Sequence, residues 1–131
     1  MSEPNQQETR REPRFSIPPM YTLLRARERG HKRYRWTGHI YDISLSGMRF
    51  ELDSPLPNGQ KVEIRGMLPG EHHTTFRATG HVVRQHGAED NDPGPSRMAL
   101  SFETFESQID RRRLSEYLER VAVSRGLKVA A

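Results

Sequence analysis

This chain of 131 residues predicts an all-β fold: a six-stranded antiparallel β-barrel with a C-terminal α-helix. Three observations predict it. Apolar residues fall on alternate positions in run after run between residues 20 and 104. Turn residues interrupt those runs, with Asn58-Gly59 the strongest local signal. Beyond Ser107 the apolar period lengthens from two to that of a helix. Six short strands left as an open sheet would expose two long edges, so closure into a barrel is favoured.

The elements follow in order. MYTLLRA is the first strand, and RERGHK its turn around Gly30. RYRWTGHIYDI is the second. In MRFEL, the third, Met48, Phe50 and Leu52 share one face while Arg49 and Glu51 take the other. SPLPNGQ is a turn, and KVEIR then points Val62 and Ile64 inward. MLPGEHH is a loop before the long strand TFRATGHVVR, where an interior Gly80 marks a bulge, bend or close approach. GAEDNDPGPS is a polar loop, and MALSF closes the set with Met98, Leu100 and Phe102 on one face. Ser107 caps the helix, with Asp110 three residues on. Ile109, Leu114, Tyr117, Leu118 and Val121 form its apolar stripe. No internal repeat is visible.

Composition bounds the function. With 33% hydrophobic and 29% charged residues, the core is modest and the surface heavily solvated. No apolar run approaches the roughly 18 to 20 residues that span a bilayer, so no membrane insertion is expected. The opening MSEPNQQETRREPR lacks the apolar core of a secretory signal, and a cytoplasmic location is expected. Zero cysteines exclude disulfides, thiolate catalysis and cysteine-type zinc sites. His72-His73 points to opposite faces if extended, with no acid cluster to complete a metal site, so no metal is expected. No nucleophile, base and orienter stand at recognisable spacing, and no enzyme is expected.

The net charge is +4, and the basic residues are 18 Arg against three Lys. Arginine's planar fork suits phosphates and guanine edges. The hairpin RARERGHKRYRW interleaves arginines with Tyr34 and Trp36, a pattern that can track and stack a nucleic acid. The modest net charge argues against a broad phosphate-tracking surface.

Two spacings stand out. DISLSG, residues 42–47, has the form D-x-S-x-x-G, expected by chance about 0.03 times in a chain of this composition. Asp42 and Ser44 are two apart and share a face if extended, with Tyr41 and Ile43 on the other. Gly47 can turn the chain with positive φ. The plainer reading is a turn whose side chains bond their own backbone. The second spacing, R-x-x-x-R, is expected by chance about 2.4 times and carries nothing alone. It occurs at Arg10/Arg14, Arg25/Arg29 and Arg29/Arg33. The last two belong to the turn between the first strands. Arg10 and Arg14 precede the barrel in a proline-rich segment with few contacts of its own, an arm able to fold over the rim.

Together RREPR at 10–14 and DISLSG at 42–47 resemble the paired motifs of the PilZ domain, a family of bacterial receptors for cyclic di-GMP. The resemblance runs from about residue 10 to near Arg125 and implies the same six-stranded barrel and helix. Residues 1–9, polar and apolar-poor, are expected to be a disordered lead-in, followed by a PilZ-like domain (10–126) and a tail (127–131). Within the domain lie an arm (10–19), a barrel (20–104) and a helix (107–125). The resemblance further implies that Arg10 and Arg14 grip guanine edges and phosphates, with Arg11 assisting. Asp42 would accept from guanine N–H groups, Ser44 would contact guanine or phosphate, and Gly47 would admit a close backbone approach. No cofactor is implied. The partners implied are the second messenger and an effector protein that reads arm closure. The alternatives are a PilZ-like adaptor that does not bind the dinucleotide, and a basic barrel that binds nucleic acid.

Overall fold

The computed structural model describes residues 13–84 and 97–126. Among the described residues, seven strands and one helix follow in the order β1 (Phe15–Ser16), β2 (Leu23–Glu28), β3 (Trp36–Ile43), β4 (Gly47–Leu52), β5 (Lys61–Met67), β6 (Thr75–Arg84), β7 (Arg97–Phe105) and α1 (Gln108–Ser124). A 3-10 turn at Pro19–Tyr21 separates β1 from β2. The order β3-β2-β5-β6-β7-β4 closes on itself because β4 also pairs with β3. All pairings are antiparallel. The expected six-stranded barrel is therefore present, with one short strand added.

Alternation explains the core. Met48, Phe50 and Leu52 of β4 and Val62 and Ile64 of β5 are buried, facing Ile40, Phe76, Met98 and Leu100. Gly80 sits where the β6–β7 register shifts. A Cβ there would fall onto the Ser101 carbonyl oxygen, so the glycine serves a close approach between strands. Ser107 caps α1, accepting from the Asp110 N–H. Leu114, Tyr117, Leu118 and Ala122 pack into the core, with Val121 partly buried beside them. Ile109 departs from the expected stripe. It is 55% exposed, because Asp110 rather than Ile109 turns toward the barrel at the first helical turn.

Several expected boundaries move. The first strand begins at Leu23, not Met20, because the prolines lead into a 3-10 turn. Arg25 lies inside β2 rather than in the following turn, and the second long strand starts only at Trp36. The larger correction concerns the arm. Phe15 and Ile17 are 4% and 5% exposed and belong to the core. Burying two such side chains contributes on the order of 1.5 to 3 kcal/mol each, so the end of the arm is seated on the barrel. The loop expected at 87–96, the lead-in, Arg10, Arg11 and the tail lie outside the described residues.

Candidate functional site

Strand β3 has two partners along one edge, and that arrangement builds the site. Its first half pairs with β2, and its end pairs with β1 through Phe15↔Ile43 and Ser16↔Asp42. Ile17 N–H donates to the Tyr41 carbonyl at 3.0 Å, and the Thr22 hydroxyl accepts from Ile40 N–H at 2.9 Å. The backbone beside Asp42 is thus occupied by the arm.

The opposite edge of β3 carries a bulge between Ile40 and Asp42, so Tyr41 has no partner residue on β4. The bulge shifts the alternation by one. Ile40 and Ile43 both point into the core, while Tyr41 and Asp42 both lean outward. Tyr41 therefore does not share a face with Ile43 as simple alternation predicts. Its hydroxyl donates to Glu51 at 2.5 Å, and Arg97 lies over its ring at 4.5 Å. Burial and the Glu51 carboxylate raise the phenol above its ordinary pKa, with Arg97 acting in the opposite direction.

Asp42 lies between two arginines. Arg14 Nε is 3.7 Å from Oδ1, and Arg49 Nε is 3.8 Å from Oδ2. Both separations exceed hydrogen-bond length, so these are loose charge pairs. The Asp42 side chain is 14% exposed, and Oδ1 is buried with no hydrogen-bond partner among the described residues. Such an oxygen is a costly group to leave unmatched. Each guanidinium keeps several N–H donors beyond what one carboxylate can take, so the cluster can also receive an anion. Arg49 is the residue that sequence reasoning missed. It stands directly opposite Asp42 on β4, a placement that only the bulged register reveals.

Ser44 and Gly47, the other two members of the D-x-S-x-x-G spacing, are buried. Ser44 is 2% exposed; its hydroxyl accepts from Ser46 N–H at 3.2 Å and lies 3.4 Å from the Gly47 carbonyl, to which it donates. It does not share an open face with Asp42. Gly47 is not among the described glycines with positive φ, so it is not the left-handed turn residue expected. A Cβ at Gly47 would strike the Leu100 carbonyl oxygen across the β4–β7 pair, and that is what requires a glycine.

The arm is also tied to the helix. Arg125, just past α1, donates to the Ser16 carbonyl at 2.5 Å and stacks 5.7 Å above Phe15. The basic hairpin, in contrast, is largely occupied by its own contacts. Arg27 pairs with Glu63 at 2.7 Å and lies over Tyr34, and Arg35 lies over Trp36 while pairing with Glu28.

Fold and rim together define a class: a small closed β-barrel that presents an arginine-flanked carboxylate beside a strand of its own N-terminal arm. The chain belongs to the PilZ domain family, whose model matches residues 8–120. Its members are binding and adaptor domains rather than enzymes. Solved structures share the fold, among them the following two. The Bacillus subtilis inhibitor of motility, MotI/DgrA, aligns with a TM-score of 0.64 at 20% identity, over 86% of this chain and 50% of that one. This chain thus spans about half the length of the Bacillus chain. The PilZ domain of Escherichia coli YcgR with c-di-GMP aligns with a TM-score of 0.54 at 24% identity, over 92% of this chain and 98% of that one. Among curated proteins, no sequence matches the chain. No helix among the described residues is long and apolar enough to cross a membrane.

Proposed function

We propose that this domain is a receptor for cyclic di-GMP and acts by closing its N-terminal arm over the ligand. One observation carries the reading: Asp42 holds a buried, unmatched carboxylate oxygen between Arg14 and Arg49, beside the arm. A guanine offers N–H donors to such an oxygen and O6 and N7 acceptors to an arginine fork, while the phosphates suit the remaining guanidinium charge. The E. coli relative was seen with this same dinucleotide. Arg14 and Asp42 are the primary ligand contacts, Arg49 joins them, and Arg10 and Arg11 complete the grip from the arm. Ser44 and Gly47 shape the turn that presents Asp42. Closure of the arginine segment ahead of the seated β1 changes the surface there, and an effector protein in the cytoplasm reads that change.

Titration calorimetry with cyclic di-GMP tests the reading. Saturable binding in the micromolar range or tighter is expected, and Arg14→Ala lowers the affinity at least about tenfold while the protein stays folded. A second reading, an adaptor without ligand, draws on the internal bonding of Ser44 and the packing role of Gly47. Absence of saturable heat would favour it.

A further inference from the structure

The outer face of β2, β5 and β6 carries a row of charge that the dinucleotide site does not use. Arg25 stands directly opposite Arg65, and Arg65 directly opposite Arg77. All three are exposed, and none of their guanidinium groups has a hydrogen bond or ion pair among the described residues. Like charges facing one another across strands oppose the pairing they sit on. The neighbouring rows show how this surface resolves charge elsewhere. Two residues along, Arg27 faces Glu63 and binds it at 2.7 Å, with Thr79 next in line. Two residues the other way, the row is Leu23, Met67 and Thr75. Between the arginine row and this apolar row lies a shallow depression of about 160 Å³ lined by Leu23, Arg25, Arg65, Met67 and Thr75.

We propose that this face is the docking surface for an acidic segment of a partner protein, carrying carboxylates beside a large apolar side chain. The carboxylates meet the arginine row, each fork taking an acid in paired hydrogen bonds. The apolar side chain covers Leu23 and Met67. Charge complementarity selects the occupant. Three positive charges in a row fit a short acidic stretch, and the apolar row beside them matches a protein side chain better than a phosphate backbone. The face also continues the arm: Arg14 leads through β1 and the 3-10 turn, where Met20 and Tyr21 are exposed, directly into Leu23 and Arg25. The proposal rests on the adaptor reading in naming the kind of partner, but it does not require the dinucleotide to bind.

Fluorescence anisotropy with a labelled peptide of alternating glutamate and leucine tests it in low salt. The wild-type protein should bind this peptide, and Arg65→Gln combined with Arg77→Gln should weaken binding at least about tenfold, while Arg112→Gln on the exposed helix face leaves it unchanged. A short DNA duplex should bind more weakly than the peptide. Equal peptide affinity in the double variant, or tighter binding of the duplex, overturns the proposal. Thermal melting supplies a second measurement. Relief of like-charge contact should raise the melting temperature of the double variant, and added salt should narrow the gap to wild type. A lowered melting temperature in low salt means that the row serves the fold and overturns the proposal. Calorimetry with cyclic di-GMP on the same double variant keeps the two readings separate. Normal dinucleotide binding without peptide binding by the wild-type protein sinks only the docking surface. Peptide binding lost in the double variant, with no dinucleotide binding by either protein, sinks only the receptor.

Discussion

Asp110 and Asp42 are both aspartates drawn largely out of water, and the protein treats them in opposite ways. Asp110 is 8% exposed and fully engaged: its carboxylate accepts from Arg77 N–H at 2.9 Å and from the Ser107 hydroxyl at 2.7 Å. It bolts the start of α1 to β6. Asp42, at the rim, has an oxygen with no hydrogen bond among the described residues and two arginines standing just out of reach. The difference separates a carboxylate whose hydrogen bonds serve the fold from one that keeps an oxygen unmatched. Burial is common to both. Hydrogen-bond satisfaction distinguishes them.

The comparison can be sharpened first at Gly47, the third member of the DISLSG spacing. If it serves the sheet rather than the ligand, Gly47→Ala should cost about 3 kcal/mol or more, because a methyl group meets the Leu100 backbone, which cannot give way as a side chain could. Urea denaturation measures it, and a loss below about 1 kcal/mol would return Gly47 to a binding role.

The two aspartates themselves come next. Asp110→Ala should destabilise the domain by about 1 to 3 kcal/mol, leaving the Arg77 N–H unmatched and the helix without its first-turn acid. Asp42→Ala should leave the domain as stable as wild type or up to about 1 kcal/mol more stable, since the pairs it loses are long and the unmatched buried oxygen goes with them. Its effect should appear as a loss of cyclic di-GMP affinity of about tenfold or more, about 1.4 kcal/mol. Equal destabilisation by both substitutions would break the comparison.

The smallest effect concerns a third carboxylate. Glu103 is contacted by His81 at 2.9 Å, Arg29 at 3.2 Å and Lys61 at 3.5 Å, and its pKa is lowered chiefly by the His81 hydrogen bond and then by the neighbouring cations. A folded-state pKa below the unfolded one stabilises the protein above about pH 4.5, and that contribution fades as the pH falls through the carboxylate range. The stability gap between wild type and Glu103→Gln should therefore be present at pH 7 and shrink by pH 3.5. It should be small, because the group is open to solvent, where ion pairs contribute little. Partners without burial do not make an anchor like Asp110.

What was legible in the sequence was whatever depends on local pattern. Alternation placed β4, β5 and β6, the last with its boundaries intact, and Ser107 with Asp110 marked the start of the helix. Asp42 and Arg14 were found from spacing and position, and the structure brings them together. The misses share a cause. Strand β1 is two residues long and sits among prolines, so it has no period to read, and it exists because β3 offers an edge. The bulge at Tyr41 depends on how β3 meets β4, which no window of sequence contains. Arg49 as a neighbour of Asp42, and the triple row of Arg25, Arg65 and Arg77, are consequences of register in the same way. Positions across a sheet become neighbours only after the chain has chosen its pairings.

The bond from Arg125 to the Ser16 carbonyl joins residues 109 apart in the chain. Formed early in folding, such a closure would have to overcome the entropy of a very long loop. Here the barrel and helix bring the two ends close beforehand, so the bond belongs to the last stage of assembly. It is exposed and made by one side chain, and it is therefore also among the first contacts to open in the native state. Lifting the arm would also expose Phe15 and Ile17, and it is expected to be a local event that leaves the hydrogen-bonded barrel beneath it closed. In amide exchange, the Ile17 N–H should consequently trade its proton well before those of β5 and β6.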